Sequence, residues 1–371
     1  MAAKDKLPAF SPIPAFFVAS VVIGLLAAAF APVPQAAPSA EARPSSGTSA
    51  ETGTAEAAKL CARAKAPRTC LLEYLRARTA EFGPETAFAD LKVLYDKDEN
   101  AHGFCHQLAH EIGHGGYKKY GSVAAAFAHG DNFCWSGYHH GVLESYVQDI
   151  GMEQLPAKLG HVCDDVPGRD QYTFGYFNCV HGLGHGLMAV TDDKVADALQ
   201  YCDNLERSWD KDSCYGGVFM QNVINEDLTL HVPDFKKDDP YYPCDAVGDK
   251  YKDSCYRMQT SHMLKVMDRD FSKIFAACAA TPDTREIDVC YASLGRDASG
   301  STVSDVAKTK ALCMLGKDER QRKGCFEGAV KDFISFHHSD VEAKELCATL
   351  DDDLRGYCLG VAKDYYAVFE K

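Results

Sequence analysis

The chain has 371 residues, of which 46% are hydrophobic and 25% charged, the composition of a globular protein with enough apolar mass for a sizeable core. Its formal charge of −14, with no run of lysine or arginine, excludes nucleic acid and anionic membrane surfaces as partners, because both are bound through a basic face that releases counterions.

At the N-terminus, Lys4 and Lys6 precede an apolar stretch from about Ala15 to Ala31 that includes Phe16, Phe17, Val21, Ile23, Leu25 and Leu26. Residues 1–31 therefore read as an export signal. Two fates are open: cleavage near Ala27 to Ala31, where Pro32 and Pro34 are poor neighbours, or retention as a short membrane anchor, since a span of about 17 residues is at the lower limit. Residues 32–58 are dominated by Ala, Pro, Ser, Thr and Glu, with no large apolar residue after Val33. Such a segment is expected to be a disordered linker.

All sixteen cysteines follow the linker, and no C-x-x-C occurs, which disfavours zinc ribbons, thioredoxin-type sites and covalent haem. An even count behind an export signal points to structural disulfides in an oxidising, extracytoplasmic compartment, periplasmic or secreted. The spacing reveals a repeat. Pairs at Cys202/Cys214, Cys244/Cys255, Cys278/Cys290, Cys313/Cys325 and Cys347/Cys358 are separated by 10 or 11 residues, and the first members of the last four stand 34, 35 and 34 apart. An aromatic residue follows the second cysteine at Tyr215, Tyr256, Tyr291 and Phe326. Toward the N-terminus Cys61/Cys70 and Cys163/Cys179 fit as pairs, leaving Cys105 to Cys134.

Between the pairs, apolar residues recur at helical spacing, as in Val303 to Met314 and Glu327 to Phe336. The expected fold is all-α: disulfide-stapled helical hairpins in an α-solenoid-like array, one hairpin per repeat, with period about 34. In architecture this resembles the tetratricopeptide class, without its consensus residues. Two regions are expected, a histidine-rich one at 59–200 and the cysteine-paired repeats at 201–371. Solenoids present concave surfaces, so a peptide or protein partner is expected on the C-terminal repeats.

Seven of the fourteen histidines fall in three short segments. The first holds His106, His110, Glu111 and His114, the second His139, His140 and Glu144, and the third His181 and His185. Each places two ligand types four residues apart, hence on one helix face a turn apart. Three such helices side by side would gather imidazoles and a carboxylate into a site suited to a transition metal, copper, zinc or iron, as one or two ions. Calcium or magnesium would require more oxygen ligands. The adjacent glycines also fit a plainer role, allowing close helix packing. The remaining histidines, His102, His129, His161, His231, His262, His337 and His338, are expected to be ordinary surface or hydrogen-bonded residues.

The string His110-Glu111-Ile112-Gly113-His114 resembles the H-E-x-x-H motif of the zincin metallopeptidases. That resemblance implies two zinc ligands, Glu111 as general base and Glu144 as a gluzincin-like third ligand. It covers five residues and lacks the extended pattern, since Tyr117 stands where that pattern has glycine. The third segment repeats His-x-x-Gly-His-Gly with Gly182 in place of Glu111, which favours a repeated metal-binding helix over a peptidase motif. The layout of histidine pairs on several helices is also similar to that of coupled binuclear copper proteins and, less closely, di-iron bundles. The leading expectation is an extracytoplasmic metalloenzyme that activates water or dioxygen, with Glu111 shuttling protons; a zinc peptidase and a non-enzymatic metal-carrying or peptide-binding solenoid are the alternatives.

Overall fold

A computed structural model describes residues 47–226, 234–236, 238–281 and 283–369. The apolar segment 15–31 lies outside them, and among the described residues no helix is long and apolar enough to cross a membrane. All regular structure described is helical. In chain order the α-helices are α1 (Gly47–Ala62), α2 (Pro67–Phe82), α3 (Pro84–Lys97), α4 (Glu99–Gly103), α5 (Cys105–Tyr120), α6 (Val123–Phe127), α7 (Gly137–Lys158), α8 (Phe174–Val190), α9 (Val195–Cys202), α10 (Ser208–Asn225), α11 (Asp249–Val266), α12 (Phe271–Ala279), α13 (Glu286–Thr302), α14 (Val306–Cys313), α15 (Glu319–His337), α16 (Val341–Ala348) and α17 (Asp352–Phe369).

The repeat unit is a short helix followed by a long one: α9–α10, α12–α13, α14–α15 and α16–α17. In each unit a disulfide ties the last turn of the short helix to the second turn of the long one, at Cys202–Cys214, Cys278–Cys290, Cys313–Cys325 and Cys347–Cys358. The other four bridges are Cys61–Cys70, Cys105–Cys134, Cys163–Cys179 and Cys244–Cys255. All eight join the pairs that the spacing implies, no free cysteine is left, and the chain is built for an oxidising extracytoplasmic compartment. The aromatic residue after the second cysteine is core: Tyr215, Tyr256, Tyr291 and Phe326 are each at most 3% exposed. Asp270, Asp305 and Asp318 cap α12, α14 and α15 by accepting a backbone N–H three residues on, worth about 1 kcal/mol each.

The long helices α5, α7, α8, α10, α11, α13, α15 and α17 pack each against the next, with the short helices as a second layer. Glycines set how closely they pack. A Cβ on Gly113 would stand 2.1 Å from the Tyr138 carbonyl oxygen, and one on Gly141 2.1 Å from that of His110, so α5 and α7 touch backbone to backbone. Gly184 and Gly217 do the same for α8 and α10, and Gly295 and Gly328 for α13 and α15. The plainer role of the glycines beside the histidines is thus the one the packing uses.

The array does not stay open. Trp135 donates its indole N–H to Asp332 Oδ1 at 2.9 Å, joining residues 197 apart in sequence. Phe336 packs on Trp135, Phe133 and Tyr95, and His338 on Phe174. The long helices therefore curl until α15 meets the segment before α7, leaving an interior cavity of about 230 Å³ that stays partly open to solvent. Residues two or six positions after the second cysteine of each pair line it, namely His181, Met220, Arg257, Ala292, Arg296 and Lys331. The concave face of the repeats is this inner wall.

Two features lay beyond the sequence reading. Residues 47–58, expected to belong to the linker, are helical in α1, where buried Thr54 donates to Asp90 Oδ1 at 2.8 Å. The small polar composition that suggested a tether suits a helix that contributes one buried hydroxyl to a polar contact. Secondly, three links from a long helix into the next short one carry two consecutive left-handed residues without a glycine: Asp192–Asp193, Asp268–Arg269 and Val303–Ser304, with φ between 53° and 60°. A left-handed L-residue costs about 1–2 kcal/mol, and a β-branched one is the least suited. Val303 is 37% exposed, so its side chain has little packing to lose. Val303→Gly is expected to raise stability by roughly 0.5–1 kcal/mol, after allowing for the freedom glycine adds to the unfolded chain. The midpoint of urea unfolding measures this.

Candidate metal centre

The centre is assembled from α5, α7 and α8. The disulfide at Cys105 starts α5 beside the turn that leads into α7, and the glycine contacts bring His110 on α5 against Gly141 on α7. On the other side of α7, Gly182 and Gly186 of α8 pack on Leu143 and Val147. Three trios of ligand atoms each lie within 4.8 Å of one another: His106, His110 and His140; His140, His181 and His185; and His110, Glu144 and His185. All six residues are buried.

Hydrogen bonds fix the tautomers. His106 Nδ1 lies 2.9 Å from the Cys134 carbonyl oxygen, which can only accept, so Nδ1 carries the proton and Nε2 a lone pair. His110 Nδ1 is 3.0 Å from Glu144 Oε1, and a carboxylate likewise accepts, so that Nδ1 also carries a proton. The Nε2 atoms of the two rings face each other at 3.0 Å. Either a shared proton or a metal ion between or beside them accounts for that contact. Two imidazoles on one ion at about 2.0–2.1 Å, at angles near 90–110°, have their nitrogens roughly 2.9–3.4 Å apart.

His185 is oriented by a longer chain. Asp193 Oδ1 accepts from Asn225 Nδ2 at 2.9 Å, Asn225 Oδ1 from Gln221 Nε2 at 2.9 Å, and Gln221 Oε1 then accepts from His185 Nδ1 at 2.7 Å. The carboxylate sets the polarity of every amide in the row and leaves His185 Nε2 bare. That atom, together with both ring nitrogens of His140, is buried without a protein partner. A buried polar atom in this state costs about 1–3 kcal/mol, which a coordinated ion would offset. Burial holds His106 down to about 3 and His181 to about 4, and holds His140 and His185 well below the usual imidazole range, so these rings are neutral and able to donate a lone pair. Burial alone would raise the Glu144 carboxyl, but the neighbouring His110 and His114 hold it well below the usual range, as an anion.

Three expected site residues are placed elsewhere. His139, one residue before His140, points about 100° away round the helix and packs edge-on against Phe127 at 4.5 Å. His114 belongs to none of the trios; its Nε2 contacts Glu144 Oε2 at 2.6 Å, and its side chain, 30% exposed, faces the outer cleft. Glu111 is clamped by Arg76 through Nε at 2.7 Å and Nη2 at 3.0 Å. Burial would raise its carboxyl, but His114 and Arg76 hold it at about 2. Most of the isolated histidines have ordinary partners: His102 contacts the Tyr95 carbonyl, His129 Glu85, His161 Asp164 and His262 Glu226. His231 lies outside the described residues.

Two spaces reach the centre. A cleft of about 460 Å³ between α2, α5 and α10, lined in part by Arg68, Arg76, Phe104 and Gln107, opens on His110, His114 and Glu144. The interior cavity opens on His140 and His181, with Phe174, Phe177 and Trp135 beside them and Asp332 opposite. Sequence reasoning missed Gln221, Met220 and Asp332. The repeat register offered a signal for the second, since Met220 follows Cys214 by six residues as His185 follows Cys179.

Asp332 is a buried carboxylate, and burial pushes it up from 3.8 to about 6 despite Ser299, Arg296 and the Trp135 hydrogen bond, which favour its charged form. Between pH 4 and 6 the folded state binds a proton that the unfolded chain has already lost, so stability falls as pH rises through that window and levels off above it. The penalty above pH 6 is on the order of 3 kcal/mol. Asp332→Asn keeps an acceptor for Trp135 and is expected to melt higher than the parent at pH 8, with the gap closing near pH 4. Paired thermal unfolding at the two values checks it.

Comparison with known proteins finds no match: no family model fits the chain, and no curated protein or solved structure is similar to it.

Proposed function

We propose that the protein is an exported metalloenzyme, periplasmic or secreted, whose buried histidine and glutamate centre binds one or two transition-metal ions and acts on water or dioxygen. The observation that carries the reading is the set of buried, partnerless ring nitrogens of His140 and His185, with the Nε2 atoms of His106 and His110 facing each other at 3.0 Å beside them. Bound there, a transition metal would supply Lewis acidity or redox chemistry. His106 and His110 would hold one position and His181 with His185 a second. His140 belongs to trios at both, and as a neutral ring with one lone pair it serves one ion at a time. Glu144 either completes the ligand set or takes a proton at Oε2, which His114 can pass to the outer cleft. The cleft has the size of a small-molecule site.

A zincin arrangement finds less support. It needs His114 as a ligand and Glu111 free to activate water, whereas His114 turns to Glu144 and Glu111 is held by Arg76. Glu111→Gln is therefore expected to leave the metal in place and whatever turnover is found largely intact. Elemental analysis of protein folded with its disulfides and offered copper, zinc and iron in turn tests the reading. Retention of a stoichiometric transition metal supports it; protein that holds none of the three overturns it.

A further inference from the structure

Building on the reading of the centre as a metal site, we infer that Met220 is a thioether ligand and that the position formed by His140, His181 and His185 selects copper(I). The Met220 sulfur stands 3.3 Å from His181 Nε2. That is the spacing of two donors on one ion, and a neutral imidazole gains little from a thioether, which is a weak acceptor. His181 itself lies in the trio with His140 and His185, so the sulfur adds a fourth donor to three nitrogens.

The position of Met220 in the fold is that of an inner-wall residue. It lines the interior cavity and also a second cavity beside His106 and Trp135, so it stands where the centre meets both spaces. The other inner-wall positions six residues after a second cysteine are His140, Ser261, Arg296 and Lys331, so the thioether follows the histidines along the wall, before the charged residues.

Charge selects the metal as much as donor softness. Three imidazoles and a thioether carry no net charge, and the cost of burying an ion rises steeply with its charge, so a neutral buried set favours a monovalent ion over a divalent one. Thioether sulfur with imidazole suits copper(I), whereas zinc gains nothing from methionine. The position that includes Glu144 differs, because its carboxylate compensates a second charge.

The test uses the full chain with its disulfides formed, titrated with copper(I) against a chromophoric chelator and separately with zinc(II). Met220→Leu, close in volume, is expected to weaken copper(I) binding roughly tenfold or more while leaving zinc binding unchanged. In parallel, wild-type protein labelled with selenomethionine and loaded with copper(I) is expected to show selenium in the copper coordination sphere by X-ray absorption, and labelled Met220→Leu to lack it. The selenium readout stands even if the leucine variant folds poorly. Wild-type protein that binds copper(I) with no selenium neighbour, or a folded Met220→Leu that binds it as tightly, overturns the thioether ligand and leaves the metal centre standing. Wild-type protein that binds no copper(I) overturns the thioether site, and protein that holds none of copper, zinc and iron overturns the metal centre as well.

Discussion

Replacing His181 and His185 together with alanine is expected to reduce metal content to about half of the parent value or less, as is replacing His106 and His110. A single helix supplies two ligands and a stable site wants three or four, so no position survives on one helix alone. The trios make the expectation specific: each double replacement breaks two of the three and leaves one, and His140 belongs to both of the trios that can be left. His337→Ala with His338→Ala is the control, since those residues end α15 outside every trio. Elemental analysis after removal of loosely held ions gives the readout. Full metal in both histidine double variants would mean that the cluster is merely a set of buried imidazoles.

A single methyl group at a helix crossing is expected to do comparable damage without touching a ligand. In Gly184→Ala the new Cβ would lie 2.2 Å from the Cys214 carbonyl oxygen and 2.7 Å from the Val218 backbone nitrogen. Neither is a side chain that can swing aside, so α8 and α10 must separate. Overpacking of this kind costs about 1–3 kcal/mol or more, against a gain of about 1 kcal/mol from alanine's helix propensity. The net loss expected is roughly 2 kcal/mol, accompanied by weaker metal retention, because α8 carries His181 and His185 while α10 carries Gln221 and Met220. Gly360→Ala supplies the contrast: that glycine is exposed on α17 with nothing within 4 Å, and the same change there is expected to stabilise by roughly 0.5–1 kcal/mol. Urea unfolding of the two variants beside the parent measures both signs.

The disulfide framework was legible because it depends on spacing alone, and the helical repeat followed from the same ruler. The convergence of His106, His110, His140, Glu144, His181 and His185 was legible because residues four apart share a helix face whatever lies around them. What resisted reading was direction. His139 and His140 are adjacent, both buried and chemically identical, and only the packing of α5 and α8 on either side of α7 decides which one meets the cluster. His114 continues the row of His106 and His110, but a row three turns long outruns the site, and its end meets Glu144 and the cleft instead. Glu111 carried a motif, and Arg76, 35 residues away on α2, could not be paired with it from sequence. Gln221 is one polar residue among many until the chain from Asp193 to His185 is traced.

The contact between Trp135 and Asp332 bears on how the protein comes apart. An open array of repeats frays from its ends, because each unit is held only by its neighbours and melts nearly independently of distant ones. Here α15 also meets the segment before α7, so losing the repeat that holds α15 exposes surface on the early helices as well as the late ones. Yet no covalent bond spans that closure, since every disulfide links residues 9 to 29 apart. Trp135→Phe, which keeps an aromatic ring and deletes the N–H donor, should therefore broaden a single sharp transition into a stepwise one while every hairpin stays stapled.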